Sequence, residues 1–229
     1  MVTQPMTTRL PDTLTGVLAA NGGSTRRIHY LNGQDDRRAV EFGALRAAAL
    51  GVLFHLQAFG ARPGDRVILH TSGNEQFLDG FWACLLGGLV PVPVAVGISD
   101  DHRQKLLQVF AQLGNPMVYT EDAQLARLRD YARESSTTAA VDALAGRSLT
   151  VERVTDISRP GEERPVTAGY IAFIQCSSRS TSTPKGVVLT HANIVADVLA
   201  AATIVPAGVT LALVSILPLS HMFEQTAGL

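Results

Sequence analysis

The chain has 229 residues, of which 46% are hydrophobic and 17% charged, and this composition is typical of a folded domain with ample core material. The formal net charge of −1 gives no reason to expect nucleic acid as a partner. The two cysteines fit neither a disulfide framework nor a zinc site, so we expect buried thiols and no metal site. We find no signal peptide and no apolar run of about 18 residues that could span a membrane, and we therefore expect a cytoplasmic protein.

Turn residues and the spacing of apolar residues predict the first helices and strands of the chain. Residues 1–27 are polar and are expected to form a flexible lead-in with one short helix from Thr13 to Ala20. Asn32-Gly33 lies between two weak strands, which predicts a hairpin. Apolar residues then recur at helical spacing from Phe42 to Phe59, and Gly60 follows in the position of a helix C-cap.

The rest of the chain alternates strands with helices. Strands are predicted at 67–71, 91–96, 117–120, 170–176 and 210–217, and helices at 74–89, 100–113, 121–135 and 191–204, with looser connecting structure over 135–168. Asp100 and Asp101 begin the third of these units at the positive end of its helix. Alternation at this spacing predicts an α/β fold with a mostly parallel, helix-covered sheet.

A hydroxyl-rich loop follows the strand at 170–176. Six serine and threonine hydroxyls, Lys185 and Gly186 fall between residues 177 and 186. Backbone N–H groups and hydroxyls in a tight loop can surround a phosphate chain, and the lysine adds a positive charge. By composition alone a solvated loop would be the commoner explanation. The Walker pattern G-x-x-x-x-G-K-[ST] and the dinucleotide pattern G-x-G-x-x-G are both missing, so the sequence excludes those two phosphate sites.

The spacing of this loop resembles the phosphate-loop signature of the adenylate-forming enzymes, [ST]-[ST]-G-[ST]-T-[GS]-x-P-K-G followed by an apolar run and Thr-His. The matching residues are Ser177, Ser178, Ser180, Thr181, Ser182, Thr183, Pro184, Lys185 and Gly186, followed by Thr190, His191 and Asn193. Arg179 stands where the family has glycine. It either strains the loop, because glycine alone tolerates close backbone approach and positive φ, or reaches the phosphates with its guanidinium.

Three other segments resemble the same family. Residues 60–67 match a G-x-x-P-G-D-R-V turn, and residues 83–94 match an apolar helix followed by Pro-Val-Pro-Val. In residues 216–225, His221 matches the histidine that lines the acyl pocket near the α-phosphate, although from the residues alone a buried structural histidine is the commoner case. The sequence of this last segment is most similar to those of fatty acyl-CoA synthetases and fatty acyl-AMP ligases.

The resemblance implies that residues 28–229 form the N-terminal α/β part of an AMP-binding domain. The implied reaction uses ATP and Mg²⁺ to convert a carboxylic acid, in particular a fatty acid, into an acyl adenylate, and then transfers the acyl group to CoA or an acyl-carrier protein. His221 would serve the acyl pocket, whereas His191 would be structural and Thr190 would cap the next helix. The phosphate-binding residues implied are Ser177, Ser178, Arg179, Ser180, Thr181, Ser182, Thr183, Lys185 and Gly186.

Three hypotheses follow from the length of the resemblance, because family members run to about 500 residues. In the first, the chain is the N-terminal fragment of a ligase whose metal-ligating and ribose-binding motifs and C-terminal domain lie further along. In the second, it is a truncated, inactive relic that still binds nucleotide phosphate or an acyl chain. In the third, it is an interaction module that has kept the fold and lost the ligand.

Overall fold

A computed structural model describes residues 11–31, 37–176, 184–203 and Leu219. Its α-helices are α1 (Leu14–Ala20), α2 (Phe42–Ala58), α3 (Asn74–Leu86), α4 (Asp100–Gln112), α5 (Asp122–Glu134), α6 (Thr138–Gly146) and α7 (His191–Ala202). Its strands are β1 (Arg27–Leu31), β2 (Arg37–Glu41), β3 (Arg66–His70), β4 (Val90–Pro93), β5 (Met117–Thr120), β6 (Ser148–Thr150), β7 (Ile171–Cys176) and β8 (Gly186–Thr190). A short 3-10 turn, Val151–Arg153, follows β6.

The central sheet has the strand order β4-β3-β5-β6, and every pair in it is parallel. Val67 of β3 pairs with Pro91 on one side and Met117 on the other. The side chains of Val67, Ile68 and Leu69 are fully buried, as expected of a strand covered by helices on both faces. The α/β fold with a parallel, helix-covered sheet is therefore confirmed.

The helices form a hydrophobic core on each face of this sheet. One core contains apolar side chains of α1, α2 and α3, including Phe77 and Phe81, which were predicted to be core residues. The other contains side chains of α4, α5 and α6, including Leu106 and Leu144. The chain passes from β3 to α3 on the first face and from β4 to α4 on the second. The strands of the sheet lie between the two cores and contribute side chains to both.

Two glycines hold the turn that joins α2 to β3. Gly60 has φ +108°, and the Ala61 N–H donates to the Leu56 carbonyl at 2.9 Å, which closes the end of α2 as the predicted C-cap. Gly64 has φ +89°, and the Asp65 N–H donates to the Arg62 carbonyl at 2.9 Å. Side chains with a Cβ are strained at both positions, so the turn depends on glycine.

The expectation of looser structure over residues 135–168 was wrong in part. This stretch contains α6 and the three-residue strand β6, which pairs with β5 and extends the central sheet. The Ser148 hydroxyl donates to the Leu144 carbonyl at 2.8 Å, which satisfies a polar side chain inside the sheet. A short alanine-rich helix and a strand of Ser-Leu-Thr carry little apolar periodicity, and this explains why the sequence did not predict them.

Two antiparallel hairpins lie beside the central sheet. The predicted β1–β2 hairpin is confirmed, with Leu31 opposite Arg37, and its Asn32-Gly33 turn lies outside the described residues. The second hairpin, β7–β8, was predicted only as a strand running through a loop to a helix. Instead, the chain forms β8 before α7 begins, and β7 lies alongside β4. The strand predicted at 210–217 lies outside the described residues. Among the described helices, none is long and apolar enough to cross a membrane.

Candidate functional site

The candidate site is the end of the β7–β8 hairpin. Cys176, the last residue of β7, pairs with Gly186, the first residue of β8. At the other end of β7, Ala172 and Phe173 are fully buried, and the Phe173 ring packs edge-on against Phe81 with 5.7 Å between ring centroids. The hairpin is thus anchored in the core. The two ends of the hydroxyl-rich loop are joined at one paired position.

Gly186 is needed for packing at this position. A methyl group on its Cα would lie 2.8 Å from Cγ2 of Ile174 on the paired strand, closer than real side chains come. Its backbone conformation is not left-handed, so close approach and not φ explains the glycine. The sequence placed Gly186 among the phosphate-binding residues, and the structure adds a packing role to that prediction.

Lys185 lies immediately before β8 and is exposed, whereas its neighbour Pro184 is buried. The buried proline fixes the chain against the protein and leaves the lysine on the solvent side. Of the predicted site residues, the structure describes Lys185 and Gly186, which are adjacent in the sequence. The other predicted residues lie outside the described part of the chain: Ser177, Ser178, Arg179, Ser180, Thr181, Ser182, Thr183 and His221.

Thr190 joins the hairpin to α7 through a capping box. The Asn193 N–H donates to Oγ1 of Thr190 at 3.2 Å, and the Thr190 N–H donates to Oδ1 of Asn193 at 2.9 Å. The two residues therefore satisfy one another's backbone donors, as in the Ser/Thr-x-x-Glu box. The prediction that Thr190 caps this helix is confirmed.

His191 has a structural role. Its side chain is 1% exposed, and its Nδ1 accepts a hydrogen bond of 3.2 Å from the Leu14 N–H. That N–H belongs to the first residue of α1, where no helical carbonyl is available to accept it. Burial lowers the pKa of His191 to about 4, so the imidazole is neutral near pH 7. The side chain connects α1 to α7, in agreement with the structural role expected of it.

The carboxyl edge of the parallel sheet is the usual ligand site of an open α/β fold. A carboxylate lies at part of this edge, where β3 and β5 end. Glu121 accepts hydrogen bonds from the Ser72 N–H at 2.9 Å, the Ser72 hydroxyl at 2.7 Å and the Gly73 N–H at 3.3 Å. Partial burial raises the pKa of Glu121, but the hydrogen bonds from Ser72, Gln124 and Gly73 bring it below its usual value. A fixed negative charge at the start of α3 opposes phosphate binding at that point of the edge.

Two polar residues, Tyr30 and Asp79, line a cavity beside α3 and were not identified from the sequence. Tyr30 and Asp79 face a cavity between the β1–β2 hairpin and helices α2 and α3. The signal for Asp79 was available, because it is an acidic residue in a helix whose later positions are almost all apolar. Tyr30 could be placed beside it only once the packing of the hairpin was known.

Comparison with known proteins identifies the chain's relatives. The family model of the AMP-binding enzymes matches residues 19–229. A long-chain-fatty-acid–AMP ligase of Mycobacterium marinum is 28% identical over 152 residues, which cover 66% of this chain and 25% of that protein.

Several solved structures share the fold at 25% identity or more, and two of them illustrate the match. The adenylation domain of a keto acid-selecting NRPS module, bound to keto acyl adenylate, has a TM-score of 0.75 and 26% identity, over 86% of this chain and 36% of that chain. A structure from studies of fatty acyl-adenylate ligases of E. coli and L. pneumophila has a TM-score of 0.74 and 25% identity, over 94% of this chain and 39% of that one.

The chain covers only part of the length of the proteins that it matches. The chain spans 25% of the length of the M. marinum ligase, and 32% and 22% of the length of two other curated relatives. The residues that the family model matches include the β7–β8 hairpin and its loop and extend to Leu229. The chain therefore belongs to the AMP-binding enzyme family.

Proposed function

We propose that the protein to which this chain belongs uses ATP to activate a carboxylic acid, most suitably a fatty acid, as an acyl adenylate. The acyl group then passes to the thiol of CoA or of a carrier protein. The observation that carries the proposal is the phosphate-loop pattern at the end of an anchored hairpin, in a chain of the AMP-binding family.

The chemistry requires the phosphate chain to be held in one orientation. A carboxylate oxygen attacks the α-phosphorus of ATP, the bond from that phosphorus to the bridging oxygen breaks, and pyrophosphate leaves. Negative charge on the β- and γ-phosphates increases as this bond breaks, and donors fixed beforehand stabilise it without reorganisation. In our proposal the hydroxyls of residues 177–183 and the ammonium of Lys185 are these donors. His221 lines the acyl pocket next to the α-phosphate.

Magnesium accompanies ATP in this proposal and would neutralise part of the charge on the phosphate oxygens. Among the residues that the structure describes, no group of three or more histidine, cysteine, aspartate or glutamate side chains could hold a metal ion. We therefore assign no residue of this chain as a magnesium ligand.

Arg179 occupies the position where the family has glycine, and its effect can be measured directly. If the guanidinium donates to the phosphates, Arg179→Gly should weaken the reaction. If the arginine strains the loop, the same substitution should improve it. The second outcome would support the view that this chain descends from an active ligase and has lost activity.

The test of the proposed function is ATP–pyrophosphate exchange by the full-length protein with fatty acids of graded length. We expect exchange that depends on the acid, because the first half-reaction is reversible. Lys185→Ala should reduce exchange by roughly 100-fold, the usual cost of losing one donor to a developing charge. Arg129→Ala, on the exposed face of α5, is the control and should leave exchange unchanged. Exchange that is absent with every acid would contradict the proposal.

A further inference from the structure

A cavity of about 630 Å³ lies between the β1–β2 hairpin and helices α2 and α3. Ala44, Ala47 and Ala48 line it from one face of α2, where their small side chains leave the space open. Tyr30, Glu75 and Asp79 supply polar groups, together with Arg27, Arg38 and Glu41. A volume of this size is in the range of small-molecule sites and is far more than one water molecule needs.

Two of the polar groups have no hydrogen-bond partner among the residues that the structure describes. The Tyr30 side chain is 8% exposed, and its hydroxyl is buried without a hydrogen bond among the described residues. A buried polar atom in this state costs free energy, and native structures contain few of them. The Asp79 carboxylate likewise lacks a hydrogen bond or ion pair within the described part of the chain.

Both arginines that line the cavity form ion pairs with glutamates. Arg27 pairs with Glu41 at 2.9 Å, and Arg38 pairs with Glu75 at 2.7 Å. These four charges cancel, which leaves the Asp79 charge uncompensated. Burial and then the charge of Glu75 raise the pKa of Asp79 to about 7, and Arg38 offsets them only in part. Burial and then the charge of Asp79 also raise the pKa of Tyr30.

These features specify the chemistry of a ligand. A group that fits must donate hydrogen bonds and carry positive charge toward Asp79, and the Tyr30 oxygen can accept one of its hydrogens. A primary ammonium has three donors and meets both requirements. The alanine face accommodates an apolar body, whereas the unpaired Asp79 carboxylate would repel an anion.

We propose that this cavity binds a small primary ammonium compound with an apolar body, whose nitrogen donates to the Asp79 carboxylate and the Tyr30 hydroxyl oxygen. The site uses residues of β1, β2, α2 and α3 and none of residues 177–186. It is a binding site in addition to the proposed phosphate site, and either can fail without the other.

The test is calorimetric titration of the full chain at pH 8 with 2-phenylethylammonium chloride. Its neutral analogue 2-phenylethanol and the anion phenylacetate are titrated in parallel. We expect saturable binding of the ammonium compound and at least about 10-fold weaker binding of the other two, because neither supplies a cation to Asp79. This comparison uses the natural protein and does not depend on any variant folding correctly.

Variants then locate the site. Asp79→Asn and Tyr30→Phe keep the shapes of the side chains, and both should weaken binding of the ammonium compound, the first by about 10-fold or more. Asp142→Asn, an exposed carboxylate on α6, is the matched control and should bind as the natural protein does. Lack of saturable binding, equal binding of the alcohol, or unchanged binding by Asp79→Asn would overturn the proposal.

Discussion

His191 shows how one buried imidazole can replace water at the start of a helix. Its Nδ1 accepts from the Leu14 N–H, so the proton of the neutral ring resides on Nε2. The pKa is about 4 in the folded protein and near 6.5 when unfolded. The stability from this depressed pKa is fully present above pH 6.5. It is lost as the pH falls toward 4, because the unfolded chain takes up the proton first.

We predict that His191→Phe lowers the free energy of unfolding at pH 7.5 by about 1–3 kcal/mol, since the Leu14 N–H loses its acceptor. The difference between natural protein and variant should shrink as the pH falls from 6.5 to 4. Urea denaturation at several pH values measures this. The comparison removes the contribution of His70, whose pKa burial also lowers to about 4 and which both proteins retain. A difference that is constant with pH would contradict the assignment.

Gly186 illustrates a residue whose motif role and packing role coincide. We predict that Gly186→Ala destabilises the protein by about 1–3 kcal/mol, because the added methyl meets Cγ2 of Ile174 at 2.8 Å. In combination with Ile174→Ala the cost should be smaller than the sum of the two single changes. The control is Gly146→Ala at the end of α6, where a methyl meets nothing within 4 Å. Equal effects of the two alanine substitutions on thermal denaturation would refute the close-packing argument.

Among the elements, those with a strong apolar signal could be predicted and those defined by their partners could not. The β3 run Val67–Leu69 and the aromatic face of α3 are buried as their patterns indicate. β6 is three residues long, too short for a pattern of its own, and the short apolar run of β8 lies between a hydroxyl-rich loop and α7, so its strand character depends on pairing with β7. Each is a strand because a neighbour offers backbone hydrogen bonds, which is tertiary information.

The candidate site likewise has features that the sequence predicts and features that only the structure shows. The phosphate-loop pattern is a short-range feature, and from it the sequence predicts Lys185 and Gly186 as phosphate-binding residues at the end of the loop. The role of Gly186 against Ile174 depends on strand register, which only the structure supplies. The Tyr30–Asp79 cavity joins residues 49 positions apart, from a hairpin and a helix. Its formation depends on how the hairpin packs, and local sequence does not encode that.

At the scale of the whole molecule, the two strands that flank the phosphate loop form a hairpin outside the four-stranded parallel sheet. Glu121, which follows β5, accepts hydrogen bonds from the Ser72 and Gly73 N–H groups at the start of α3. The β7–β8 hairpin lies alongside β4 and is tied to the N-terminal helix through α7 and His191. The proposed function therefore depends on a loop whose base is fixed from both directions, by the core below β7 and by the capped helix after β8.

The central claim is that the loop ending at Lys185 binds the phosphates of ATP, and Lys185 itself can report on it. Lys105 and Lys185 are the two lysines of the chain, so peptide mass spectrometry can follow the acetylation of each side chain separately. The measurement is the acetylation rate of Lys185 in the full-length protein with magnesium–ATP, with pyrophosphate, and with adenosine, which has no phosphate. The account predicts slower acetylation of Lys185 with ATP and with pyrophosphate and no change with adenosine. An unchanged rate at saturating ATP, or equal protection by adenosine, would contradict it.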